Sequence, residues 1–120
     1  NPPVGTATVK NSLYAKNIVK GWIHLRTDGA GAITVHDAFG MGASISAGNI
    51  LVTTPTFDNA NYAVVATIEP TNLAHNIVVS TGTKTPTSFS MTYVNTTTGA
   101  TVSANVVNAR VSIMITGTQT

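Results

Sequence analysis

The chain has 120 residues, of which 8% are charged, with a net charge of +2 and no cysteine. This length fits one domain with a core of its own, and the missing cysteines exclude disulfide staples and thiolate chemistry. The basic residues Lys10, Lys16, Lys20, Arg26, Lys84 and Arg110 are scattered, whereas a nucleic-acid footprint needs Lys and Arg clustered on one face.

Charge this far below the roughly 25% of ordinary soluble domains suggests that part of the surface is hidden in subunit contacts. No segment reaches the roughly 20 apolar residues of a membrane span, and no basic-then-apolar leader opens the chain. Residues 1–14, starting Asn1-Pro2-Pro3, read as an extended lead-in from a preceding domain. Residues 15–120 read as a single domain.

Along that domain the apolar period is two, not 3.6, which predicts strands. In the first strand Lys20, Trp22, His24 and Arg26 share one face, opposite Val19, Ile23 and Leu25. Asp28 to Gly31 forms a turn. Ile33, Val35, Asp37 and Phe39 then face one way, and Thr34, His36 and Ala38 the other. Further turns are expected at Gly40 to Gly42 and Gly48-Asn49, with a short strand at Ile50–Thr54.

After a turn at Asp58 to Asn61, a strand over Asn61–Glu69 puts Tyr62, Val64, Ala66 and Ile68 on one face. Its other face is partly apolar too, through Ala63 and Val65. Turn signals at Glu69 to Asn72 and Gly82 to Pro86 flank a short strand at Asn76–Ser80. Phe89, Met91 and Tyr93 alternate with Ser88, Ser90 and Thr92. A turn at Thr98-Gly99 precedes the clearest strand, with Val107, Ala109, Val111, Ile113 and Ile115 against Asn108, Arg110, Ser112, Met114 and Thr116. Turn signals spaced about 8–12 residues apart indicate an antiparallel sandwich or barrel.

Chemistry has little to work with. His36 and Asp37 are neighbours, but regular alternation sends their side chains to opposite faces, out of the reach that a base and its orienting carboxylate need. There is no G-x-S-x-G motif. Asp28, Asp37, Asp58 and Glu69 are the only acids, a thin supply for paired-carboxylate hydrolysis. His24, His36 and His75 lack metal-ligand spacing and read as surface or half-buried side chains; no cofactor or metal is expected within one chain, the alternative being a single histidine on a trimer axis, His24 or His36 ahead of His75, presented three times to a metal or anion. Trp22, on the more polar face of its strand, has three readings: packed under a loop, buried in a subunit interface, or stacked on a sugar.

In order along the chain come Lys20-Gly21-Trp22-Ile23, the turn Asp28–Gly31, the strand Ile33–Phe39, and the hairpin Gly48–Thr54. The run Pro55 to Val65, containing Ala60-Asn61-Tyr62-Ala63-Val64, and the closing Val111–Gly117 follow. This order resembles the small C-terminal domains of tailed-bacteriophage tail fibres and tailspikes, prophage copies included. Residues 69–86 depart from the pattern, and His24 stands where a small amide is common.

The resemblance implies an all-β, antiparallel, jelly-roll-like β-sandwich forming a homotrimeric knob. Its place would be the distal end of a fibre in the virion, where it binds a host polysaccharide or lipopolysaccharide without catalysis. Side-chain chemistry nominates Trp22, His24, Arg26, His75, Asn76 and Asn95 as glycan-binding or trimer-interface residues. The alternatives are a trimerising clamp, with binding or depolymerase activity upstream, and a bacterial adhesin-like sandwich.

Overall fold

Strict alternation in the last strand organises the fold. Ala109, Val111, Ile113 and Ile115 are all buried, while Arg110, Ser112 and Met114 between them are exposed. The computed structural model describes residues 18–70 and 76–119; the lead-in at 1–14, His75 and the end of the Glu69–Asn72 turn lie outside them. Nine strands are described: β1 (Val19–Asp28), β2 (Ile33–Phe39), β3 (Gly42–Ser46), β4 (Asn49–Thr53), β5 (Ala63–Pro70), β6 (Ile77–Thr85), β7 (Ser88–Asn95), β8 (Thr101–Val102) and β9 (Asn108–Thr116). A short 3-10 turn, Ala104–Val106, precedes β9. No helix among the described residues is long and apolar enough to cross a membrane.

The strands form two antiparallel sheets, β2-β1-β9-β5 and β3-β4-β7-β6, with β8 on β7. Their inner faces meet in one core. The first sheet contributes Ile23, Leu25, Val111, Ile113 and Ile115, and the second Ile50, Val52, Phe89, Met91 and Tyr93. The expected sandwich is present. The connections β1–β2, β3–β4, β6–β7 and β7–β8 each stay within a sheet, and the chain crosses between sheets at β2–β3, β4–β5, β5–β6 and β8–β9.

One polar link ties the layers together. Thr27 is fully buried on β1. Its hydroxyl donates to the Val107 carbonyl at 2.6 Å, so at 2.9 Å the Tyr93 hydroxyl from the other sheet is the donor. Burial raises the Tyr93 pKa, which keeps it a hydroxyl and thus a donor. At the opposite end Tyr62 stacks on Phe57 with ring centres 4.4 Å apart. Its hydroxyl is shared between the carbonyls of Thr85 and Ser88, each at 2.8 Å. Gly117 makes this closure possible, since a Cβ there would lie 2.6 Å from Tyr62 Cβ.

Three expectations need correction, and each failure is a bulge, in which an extra residue resets the alternation. Val19 pairs with Thr116 but Gly21 with Ile115, which leaves Lys20 as the extra residue. Lys20 therefore does not share a face with Trp22: it is buried, with Nζ donating to the Gly117 carbonyl at 2.8 Å, while Val19 is exposed. In β2, His24 pairs with Asp37 and Leu25 with Val35, so His36 is the extra residue and Phe39 parts company with Ile33. In β6 the register shifts between Thr81 and Lys84. Gly82 is thus inside a strand that runs on to Thr85, and the turn is at Pro86-Thr87.

Two outcomes test this account. Thr27→Val keeps the shape but orphans the Tyr93 hydroxyl and the Val107 carbonyl, so a loss of about 1–3 kcal/mol is expected in denaturant unfolding; Tyr93→Phe added to it should cost less than its own separate loss. Asp28 accepts from the amides of Ala30 at 2.7 Å and Ala32 at 3.0 Å, which lowers its pKa. A depressed carboxylate adds stability above its unfolded pKa, and this is lost as pH falls through the folded pKa. Asp28→Asn keeps an acceptor oxygen without titrating, so its denaturation midpoint should fall less between neutral and acid pH than that of the parent.

Candidate functional site

The outer face of the first sheet is ordered in cross-strand rows. Pairings of Phe39 with Trp22, Trp22 with Met114, and Met114 with Val65 run across β2, β1, β9 and β5. All four side chains are apolar and open to solvent, at 59%, 36%, 48% and 57% exposure respectively. Side chains directly opposite one another on a sheet face lie within contact range, so these four form one continuous stripe. The bulge at Lys20 and the absence of a side chain at Gly21 help to build it. A Cβ on Gly21 would sit 2.9 Å from Met41 Cγ and 3.0 Å from the Phe39 carbonyl oxygen, so glycine lets the end of β2 close in beside Trp22.

The next row is polar: Asp37, His24, Ser112 and Thr67. His24 Nδ1 lies 2.7 Å from Ser112 Oγ. Beyond it Thr34, Arg26, Arg110 and Glu69 make a largely charged row, in which Arg26 Nε donates to Asn108 Oδ1 at 3.1 Å. Between the first two rows is a shallow hollow of about 260 Å³, lined by Trp22, His24, Val65, Thr67, Ser112 and Met114. The face therefore grades from apolar through polar, with one acid at its edge, to charged within three rows.

Of the expected site residues, Trp22, His24 and Arg26 come together on this face. No described residue covers Trp22 enough to bury it. Asn76 and Asn95 are together elsewhere, at the far end of the second sheet. The Asn76 carbonyl accepts from the Thr96 amide and hydroxyl. The Asn95 side chain accepts from the amides of Thr97 and Thr98 at 2.8 and 3.3 Å, so its oxygen is spent on holding its own turn. His75 lies outside the described residues.

Phe39, Val65 and Met114 belong to the site but escaped nomination. Met114 and Val65 were legible as outward apolar residues on alternating strands; Phe39 was not, because the bulge hides its face.

The other hollows offer less. One of about 380 Å³ is lined by Asp58, Asn59, Asn61 and Thr118, but its aromatic walls, Phe57 and Tyr62, are buried and present no ring face. Another, of about 450 Å³, is lined by Asn49, Thr101, Ser103 and Asn105; Asn49 accepts from Thr92 and Ser103 from the Asn105 amide.

The acids do not converge. Asp28, at the end of β1, and Asp58, in a bend, are at opposite ends, and Asp37 and Glu69 are on the two edge strands of one sheet. Three strand spacings separate those edges, about 14 Å, beyond the roughly 5–9.5 Å between paired glycosidase carboxylates. Among the described residues no group of three or more His, Asp or Glu is placed to hold a metal ion. No family model, no curated protein and no solved structure matches the chain, so its function is to be read from this face.

Proposed function

We propose that this chain is a non-catalytic assembly and attachment domain of a phage tail-fibre or tailspike type of protein. In this reading, copies associate through the outer face of β2-β1-β9-β5 into a homotrimer, and the loops at the far end meet host polysaccharide or lipopolysaccharide. The observation that carries it is the unbroken row Phe39–Trp22–Met114–Val65. Large apolar side chains gathered in one patch on a domain surface mark an interaction site. Tryptophan and methionine are enriched in such interfaces, and the composition, poor in charge, points the same way. The phage setting rests on the order of motifs in the sequence.

The loop end is assigned to the receptor for a topological reason. Ile18, entering β1, and Gln119, bridged to Phe57, both lie at the Phe57–Tyr62 end. A parent fibre continuing from either side of the domain meets that end. The Asp28–Gly31, Ala47-Gly48 and Asn95–Ala100 turns are at the other end, pointing away from the junction. Their amides and hydroxyls suit a sugar's hydroxyls.

Light scattering on the isolated chain should give the mass of three copies. Met114→Lys, which places a charge in the middle of the row on an already exposed side chain, should give a folded monomer. Trp22 is the only tryptophan, so its emission should shift to the red in that variant. A wild-type chain that runs as a monomer sinks the assembly reading. A trimer that neither adsorbs to host cells nor binds on a glycan array leaves a clamp and removes the receptor role.

A further inference from the structure

The extra residue in β2 has a chemical consequence. Regular alternation would keep His36 away from His24. Instead His36 is the unpaired residue of a bulge opposite His24, which itself pairs with Asp37. Bulges re-aim side chains, and here the His36 ring comes to the His24 ring, with centres 5.6 Å apart and planes tilted by 37°. That tilt is poor for stacking, but the separation fits a shared ligand.

A metal–nitrogen bond of roughly 2.0–2.1 Å puts the centre of a ligating imidazole about 3.2 Å from the ion. Two such rings at a tetrahedral angle have centres about 5.2 Å apart, within a few tenths of an ångström of the observed value. His24 is also oriented as a ligand is. Its Nδ1 is engaged by Ser112 Oγ at 2.7 Å, which leaves Nε2 for the ion, and metal-bound histidines characteristically have their second nitrogen held in this way.

We propose that His24 and His36 form a two-imidazole site for a late first-row divalent ion, Zn²⁺, Ni²⁺ or Cu²⁺, the ions that imidazole suits. Water fills the remaining positions, because the described residues supply no third ligand. The Asp37 carboxylate, opposite His24 on the same face, favours a cation; its Oδ1 accepts from the Ala38 amide at 3.0 Å. Arg26 opposes it from two positions along β1, but its Nε is directed to Asn108. The sequence concealed the pair because neither histidine has a ligand-type spacing and the bulge leaves no Gly or Pro mark at His36.

Isothermal titration of ZnCl₂, and separately of NiCl₂, into the whole chain tests the site. One ion per chain is expected. His24→Ala and His36→Ala should each weaken binding by about tenfold or more, and Ser112→Ala by less. His75→Ala should bind as the parent does. Both substituted histidines lie on the surface, so circular dichroism should show the fold intact. Undetectable binding by the parent, unchanged affinity in His36→Ala, or one ion per three chains, which needs histidines from different copies, would each overturn the proposal.

Discussion

The register of β9 between β1 and β5 is the constraint on which the rest depends. Because side chains alternate with a period of two, a one-residue slip would exchange the faces of a whole strand. Val111, Ile113 and Ile115 would move to solvent, and Arg110, Ser112 and Met114 to the core. Burying an unpaired arginine is severely unfavourable, so the sequence of β9 permits one register. That register puts Met114 between Trp22 and Val65 and Ser112 against His24. The stripe and the histidine pair both follow from the packing of the core beneath them.

Magnitudes decide what the stripe can do. Fully burying a Val, Phe or Met side chain contributes roughly 1.5–3 kcal/mol. With about half of each already covered, the row offers roughly 3–6 kcal/mol per copy on further burial. Association itself costs roughly 4–15 kcal/mol. One row against an indifferent polar surface falls short of that cost over most of its range, whereas rows from two copies in contact come level with it. Exposed Ile18 and Val19, beside the row at the start of β1, extend the same apolar surface. The arithmetic favours a partner that brings a stripe of its own, and a second copy of the chain does so by construction.

Regular strands were legible in the sequence, and irregular ones were not. β9 and β7 could be read residue by residue, because Val111–Ile115 and Phe89–Tyr93 alternate without interruption; β5 was legible as a strand although Ala63 and Val65 make its outer face partly apolar too. Trp22, His24 and Arg26 were correctly placed on one outward face. Every misplaced side chain is close to a bulge. Lys20 went to the wrong face since its long stem can bury while its amine finds a carbonyl, a pairing no local pattern announces. His36 and Phe39 went wrong together, through one extra residue. Gly82 reads as a turn from sequence because glycine marks turns and bulges alike; the close approach of Ser90 Oγ, 2.5 Å from where a Cβ would stand, is visible only in the folded sheet. β3 and β8 were too short and weakly patterned to be named.

The two outer faces differ in a way that bears on orientation. On the second sheet the outward rows are Ser46, Asn49, Thr92 and Ser80, then Ser44, Leu51 and Ser90, then Thr53, Ser88 and Thr85. They carry hydroxyls and amides and no charge; the apolar side chains on this face are Leu51 and the cross-strand pair Val78 and Val94, with Leu51 and Val78 exposed. Its hydroxyls and amides hold water through hydrogen bonds, and its exposed apolar side chains are fewer than the four of the Phe39–Trp22–Met114–Val65 row, so the hydrophobic effect favours covering the first sheet. The first sheet differs: it has an unbroken apolar row of four, with Arg26, Arg110 and Glu69 in its far row and Asp37 on its edge strand between the two rows. If copies meet through the first sheet, the hydroxyl-bearing sheet is left facing outward on every copy. Low charge then ceases to be a solubility problem, because the surface that remains exposed is wetted by neutral groups. In such an assembly the same groups would have the hydrogen-bonding capacity to meet a hydroxyl-rich partner, with the second sheet and its loop end turned outward.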